Sequence, residues 1–86
     1  MNTHNLFMIA EQICSQSSAE LEKAKEAFAN LQQEISLNGN AHTYDARLAT
    51  LAQKVRAAEE AHNRSLNDLR RRRAEDQQAR LNALSE

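Results

Sequence analysis

A single glycine, Gly39, and no proline at all limit this fold more than any other feature of the chain. Helices in such a sequence have few places to stop. Glycine enters the left-handed conformation that ends a helix at little cost, and Asn is the next most tolerant residue there, so Asn38 and Gly39 make a C-terminal stop. The spacing predicts helix 1 over about residues 4–37, a turn at 38–40 and helix 2 over about residues 41–84. Asn40 or Thr43 can cap the second helix through a side-chain oxygen, and Asp45 suits its positive end.

Apolar residues recur three and four apart on both sides of that turn. In the first half they are Phe7, Ala10, Cys14, Leu21, Ala24, Phe28, Leu31 and Ile35, with Ser17 in step. In the second half Ala41, Tyr44, Leu48, Leu51, Val55, Ala58, His62, Ser65 or Leu66, and Leu69 follow the same rhythm. Each stripe faces one partner helix. Folding about Gly39 sets opposite each other residues whose numbers sum to about 79, a register set by the turn. Ile35 then meets Tyr44, Leu31 meets Leu48, Phe28 meets Leu51, Ala24 meets Val55 and Leu21 meets Ala58. Large side chains tend to face small ones, as interdigitation requires. The expected fold is therefore all-α: an antiparallel, coiled-coil-like two-helix hairpin. Composition agrees, because Ala, Leu, Glu, Gln, Arg and Lys dominate and the aromatics are only Phe7, Phe28 and Tyr44. Eighty-six residues in two helices enclose little interior, so dimerisation or a partner is expected to complete the fold.

In this register Ser17 falls opposite His62, and Cys14 opposite Ser65 or Leu66, a polar layer that fixes alignment at some cost in stability. A histidine there also offers a pH-sensitive layer. Ser17 and Glu20 match the capping-box pattern, so a break near residues 15–18 and an unbroken helix are both compatible with the sequence. A break would turn residues 3–15 into a separate apolar arm. Leu6, Met8, Ile9 and Ile13 flank the seam there, more apolar surface than one partner helix covers. Leu6, Phe7, Ile9 and Ile13 are the candidate partner-binding residues. Residues from about 76 to 86 have no counterpart across the hairpin; a small apolar edge of Leu81 and Leu84 and a frayed end are both compatible with the sequence.

The run of arginines at residues 70–73 points in several directions on a helix. Arg72 lies near the seam opposite Phe7. Pairs of Asp68 with Arg72, Arg71 with Glu75 and Arg72 with Asp76 have helical spacing. Arg70, Arg71, Arg73 and Arg80 remain as candidate contacts for an anionic partner. The net charge of −1 and the absence of neighbouring aromatics make nucleic acid an unfavoured partner. The lone Cys14 allows no internal disulfide and reads as a small buried hydrophobe in a reducing compartment. The apolar run at residues 6–10 is too short to span a membrane. His4, His42 and His62 lie far apart, so no metal is expected. No carboxylate pair, nucleophile triad or glycine-rich loop has a pocket to work in, so neither an enzyme, a cofactor nor a small-molecule substrate is expected.

The segment from Gln33 through Asn38, Gly39 and Tyr44, followed by Leu48, Leu51 and the run Ala57, Ala58, Glu59, resembles the small helical-hairpin co-chaperones of the bacterial type III secretion needle subunit. The resemblance covers roughly residues 20–62. It implies a cytoplasmic protein that joins a helical-repeat chaperone to keep an aggregation-prone needle subunit soluble, with Gly39 and Tyr44 as turn and packing residues. The apolar arm at residues 6–14 and the Arg-bearing tail lie outside that pattern. The expected function is a chaperone- or adaptor-like protein-interaction module, acting on a protein partner or a second copy. An inhibitor from a mobile element that blocks a host protein is one alternative, and a nucleic-acid binder through the arginine run is another.

Overall fold

A computed structural model describes residues 2–39 and 41–85, the side chain of Ala41 excepted. Helix α1 runs Thr3–Asn38, a turn of 3-10 helix occupies Ala41–Tyr44, and helix α2 runs Asp45–Ser85. The two helices pack antiparallel into a rod of 69 × 16 × 15 Å. The molecule is an all-α helical hairpin, with no strand among the described residues.

Both ends of α1 are built from side chains and backbone that satisfy orphan groups. Asn2, in an extended conformation (φ −82°, ψ 160°), accepts from the Asn5 amide at 2.8 Å through its side-chain oxygen. At the other end Gly39 takes φ 68°, ψ 13° and returns its amide to the Ile35 carbonyl at 2.8 Å, the left-handed stop expected of a lone glycine. A β-carbon at Gly39 would meet nothing within 4 Å, so conformation rather than space selects glycine here.

The start of the second helix departs from expectation. Ala41–Tyr44 forms the tighter 3-10 turn before α2 begins at Asp45. Asp45 does lie in the first turn of α2, 3.7 Å from His42 Nδ1. No hydrogen bond of the Thr43 hydroxyl occurs among the described residues; the Asn40 alternative lies outside them, as does the Ala41 side chain with its seam packing.

The break near residues 15–18 is not formed: α1 is continuous through it. Ser17 does not cap. Its hydroxyl donates to the Cys14 carbonyl at 2.9 Å and lies 2.9 Å from His62 Nδ1. A capping box is a local preference, and the seam continuing on both sides of it outweighs that preference.

Packing follows the stripes. Ala10, Cys14, Leu21 and Leu31 are buried, while Phe7, Ala24, Phe28 and Ile35 are half-buried. Across from them Tyr44, Leu48, Leu51, Val55, Ala58 and Leu69 are half-buried. No large side chain among the described residues is fully enclosed, because a helix pair shields each seam residue on one side only. Two hydrogen bonds between the helices mark the register: Ser17 with His62 and Thr3 with Asp76. Both pairs sum to 79, the expected alignment.

Candidate interaction surface

The open end of the hairpin, where α1 starts and α2 ends, carries the features of interest. α1 is uneven in charge. Its stretch from residue 2 to 19 holds one formally charged side chain, Glu11, whereas residues 20–38 hold Glu20, Glu22, Lys23, Lys25, Glu26 and Glu34. Depletion of charge is what marks the centre of protein interfaces. In the same stretch Met8, Ile9 and Ile13 remain 55%, 45% and 48% exposed.

These apolar residues lie on different flanks. Leu6, Ile9 and Ile13, spaced three and four apart, share one side of α1, and Met8 falls on the other. Of the four residues expected to bind a partner, Ile9 and Ile13 are open, Leu6 is half-buried, and Phe7 belongs mainly to the hairpin itself. The Arg73 guanidinium sits 5.7 Å from the Phe7 ring centroid, over a ring that stays half-buried. Arg72, opposite Phe7 in the register, is half-buried, and Arg73 beside it lies over the ring.

The arginine run divides between two flanks. Arg71 pairs with Asp68 at 2.6 Å and reaches Glu75 at 4.0 Å. Arg72 lies 3.2 Å from Glu75 and 3.7 Å from Asp68. The expected Arg72–Asp76 pair is not formed, because Asp76 has closer partners. Arg80 pairs with Asp76. Arg70, by contrast, makes no ion pair among the described residues. Of the four arginines proposed to meet an anion, Arg71, Arg73 and Arg80 are thus engaged within the hairpin.

Asp76 is the one buried residue of α2, at 6% exposure. A carboxylate so placed needs partners to offset its lost hydration. One oxygen accepts from the Thr3 hydroxyl at 3.2 Å, and the other lies 3.2 Å from the Arg80 guanidinium. His4 Nδ1 is 3.2 Å from the same guanidinium and 3.6 Å from the carboxylate. Arginine can only donate, so in this arrangement Nδ1 accepts and the His4 proton sits on Nε2. Thr3, His4, Asp76 and Arg80 form a clasp that ties the first turn of α1 to α2. This corrects the expectation that the tail is unpaired from residue 76: the unpaired part begins after Asp76, and Arg80 still reaches back. The signal was available, since 3 and 76 also sum to 79, but an acidic residue does not advertise itself as a seam position.

Gly39 and Tyr44 sit at the far end. The Tyr44 hydroxyl accepts from the Asn38 side chain at 3.1 Å, and Arg47 lies 5.5 Å from the Tyr44 ring centroid. Leu37 is exposed beside them at 80%. Surface hollows, such as those lined by Ala46, Arg47, Thr50 and Leu51 or by Arg64, Asn67, Asp68 and Arg71, run along single helices. Among the described residues no three His, Cys, Asp or Glu side chains gather as metal ligands. None of the described helices is long and apolar enough to cross a membrane.

Fold and surface together define an extended antiparallel α-hairpin whose α1 carries an uncharged apolar strip, Leu6, Ile9 and Ile13, at its open end, bordered on α2 by the ion-paired Asp68, Arg71 and Glu75. No family model, curated protein or solved structure matches the chain.

Proposed function

We propose that this chain is a non-enzymatic protein-interaction module, chaperone- or adaptor-like, that docks a helical segment of a protein partner along Leu6, Ile9 and Ile13. The observation that carries this reading is the exposure of Ile9 and Ile13, 45% and 48%, on a stretch of α1 almost free of charge. An amphipathic helix laid there would cover aliphatic anchors at helical spacing, the usual mode of helix recognition. The more specific form of the proposal is a cytoplasmic co-chaperone of the type III secretion needle subunit. Its support is the resemblance over residues 20–62 together with the Gly39 turn and the Tyr44 packing.

The test is co-purification from the source cell, comparing the natural chain with Ile9→Asp combined with Ile13→Asp. The expected result is a defined protein retained by the natural chain and lost from the variant, with helicity by circular dichroism unchanged. Retention of the same protein by both would overturn the docking site. Co-expression with a needle subunit and its helical-repeat chaperone, read as soluble needle subunit, tests the specific form.

A further inference from the structure

The flank opposite Ile9 and Ile13 carries a different pattern. The Arg80–His4 contact at 3.2 Å and the seat of Arg73 on Phe7 show which sides of α1 and α2 share this flank. Helical spacing then extends it through Arg70, Arg73, Gln77 and Arg80 on α2, and through Met8, Glu11, Ser18 and Glu22 on α1. The α2 strip is basic; the α1 strip is acidic at Glu11 and Glu22 and ends on Lys25, which the alignment below sets opposite Leu84. Beyond Asp76, residues 77–85 of α2 project past the start of α1, leaving Leu84 at 84% exposure.

We infer that this flank binds a second copy of the chain, forming an antiparallel four-helix dimer in which α2 of each copy lies along α1 of the other. Three observations converge on a copy as the occupant. The first is charge. A two-fold axis that places Arg70 beside Glu11 of the second copy makes α2 run in the same direction as the facing α1, so the two strips advance in step. Arg80 then falls beside Glu22 of the second copy and Gln77 beside Ser18. Like charges are not brought together along these strips, and every contact occurs twice by symmetry.

The second observation is apolar fit. The same alignment brings half-buried Leu66 to Met8 of the second copy, covering the one large apolar side chain that α1 exposes on this flank. The third is area. The hairpins overlap over roughly 30 residues of helix, about 45 Å at 1.5 Å per residue. At the 16 Å width of the rod that encloses roughly 700 Å² on each copy, or about 1,400 Å² in all, within the class of specific stable interfaces. The overhang of α2, which touches its own α1 through the Arg80–His4 contact, gains α1 of the second copy. This dimer leaves Leu6, Ile9 and Ile13 free and stands independently of the function proposed above.

Charge exchange tests it with the full-length chain. Arg70 and Glu11 are exposed and make no ion pair among the described residues, so Arg70→Glu and Glu11→Arg leave the hairpin intact, checked by circular dichroism. Solution mass by light scattering should show a natural dimer that weakens with added salt. Each variant alone should dissociate at a concentration at least about tenfold higher, and an equimolar mixture of the two should restore the dimer. A natural chain that stays monomeric up to about 1 mM overturns the inference, leaving the flank to an acidic partner. So does a dimer that survives both variants but is lost in Ile9→Asp, which would place the copies on the opposite flank. Failure of the mixture to recover likewise rejects the alignment.

Discussion

Ser17 Oγ and His62 Nδ1 meet at 2.9 Å across 45 residues of sequence. Ser17 has one hydroxyl proton, and it is directed at the Cys14 carbonyl. With that proton so placed, the oxygen accepts from the His62 tautomer that is protonated on Nδ1. A seam position with no large apolar side chain is thus occupied by a hydrogen bond that exists in one register only.

Replacing that bond in two ways separates its contribution to stability from its contribution to alignment. Ser17→Ala removes the acceptor and should cost about 0.5–1.5 kcal/mol in urea denaturation. Adding His62→Leu replaces both polar groups by apolar ones and should recover most of that loss. If Ser17→Ala costs nothing, water already satisfies His62 and the layer does not hold the register.

Asp76 should matter more than its place near the end of the rod suggests. Asp76→Ala strips the acceptor from Thr3 and the counter-charge from Arg80, and a loss of about 1–3 kcal/mol is expected. Hydrogen exchange should show where it acts. Amides of residues 6–10 should lose protection, while those around Leu31 keep it.

At the turn, Gly39→Ala should lower stability by about 1–2 kcal/mol, because alanine at φ 68° bears the steric cost of the left-handed conformation. Gly39→Asn should cost less, since Asn tolerates that region. The order of the two melting temperatures is the readout; equal values would show that the turn relaxes.

Leu31 and Ile13 have similar chemistry and opposite surroundings. Leu31 is 3% exposed and Ile13 is 48% exposed. Leu31→Ala should therefore destabilise by about 2–4 kcal/mol, whereas Ile13→Ala should stay within about 0.5 kcal/mol of the natural chain. Loss of partner binding in Ile13→Ala without loss of stability would separate the docking flank from the seam.

The hairpin was legible because its two periodic stripes are complementary in size and meet at a single glycine. Their sum of 79 places Ser17 on His62 and Thr3 on Asp76, as the structure has them. What the sequence concealed were choices among competing partners. Asp76 has Arg72 four residues before it and Arg80 four after, and only the position of Thr3 and His4 decides between them. The capping box at Ser17 was similarly local, and the neighbouring layers overrule it. Ile9 and Ile13 stand out in the sequence as surplus to one seam, whereas Phe7 belongs to both the seam and the candidate arm, and the structure leaves it half-buried beneath Arg73.

The rod is 69 Å long, many times the Debye length of about 8 Å at physiological salt. Charges at the turn, such as the Arg47–Glu34 pair at 3.9 Å, are therefore electrically silent to anything that arrives at the clasp. The two ends can acquire substitutions, or ligands, without either sensing the other's field. What passes between them must travel mechanically, layer by layer, along the seam.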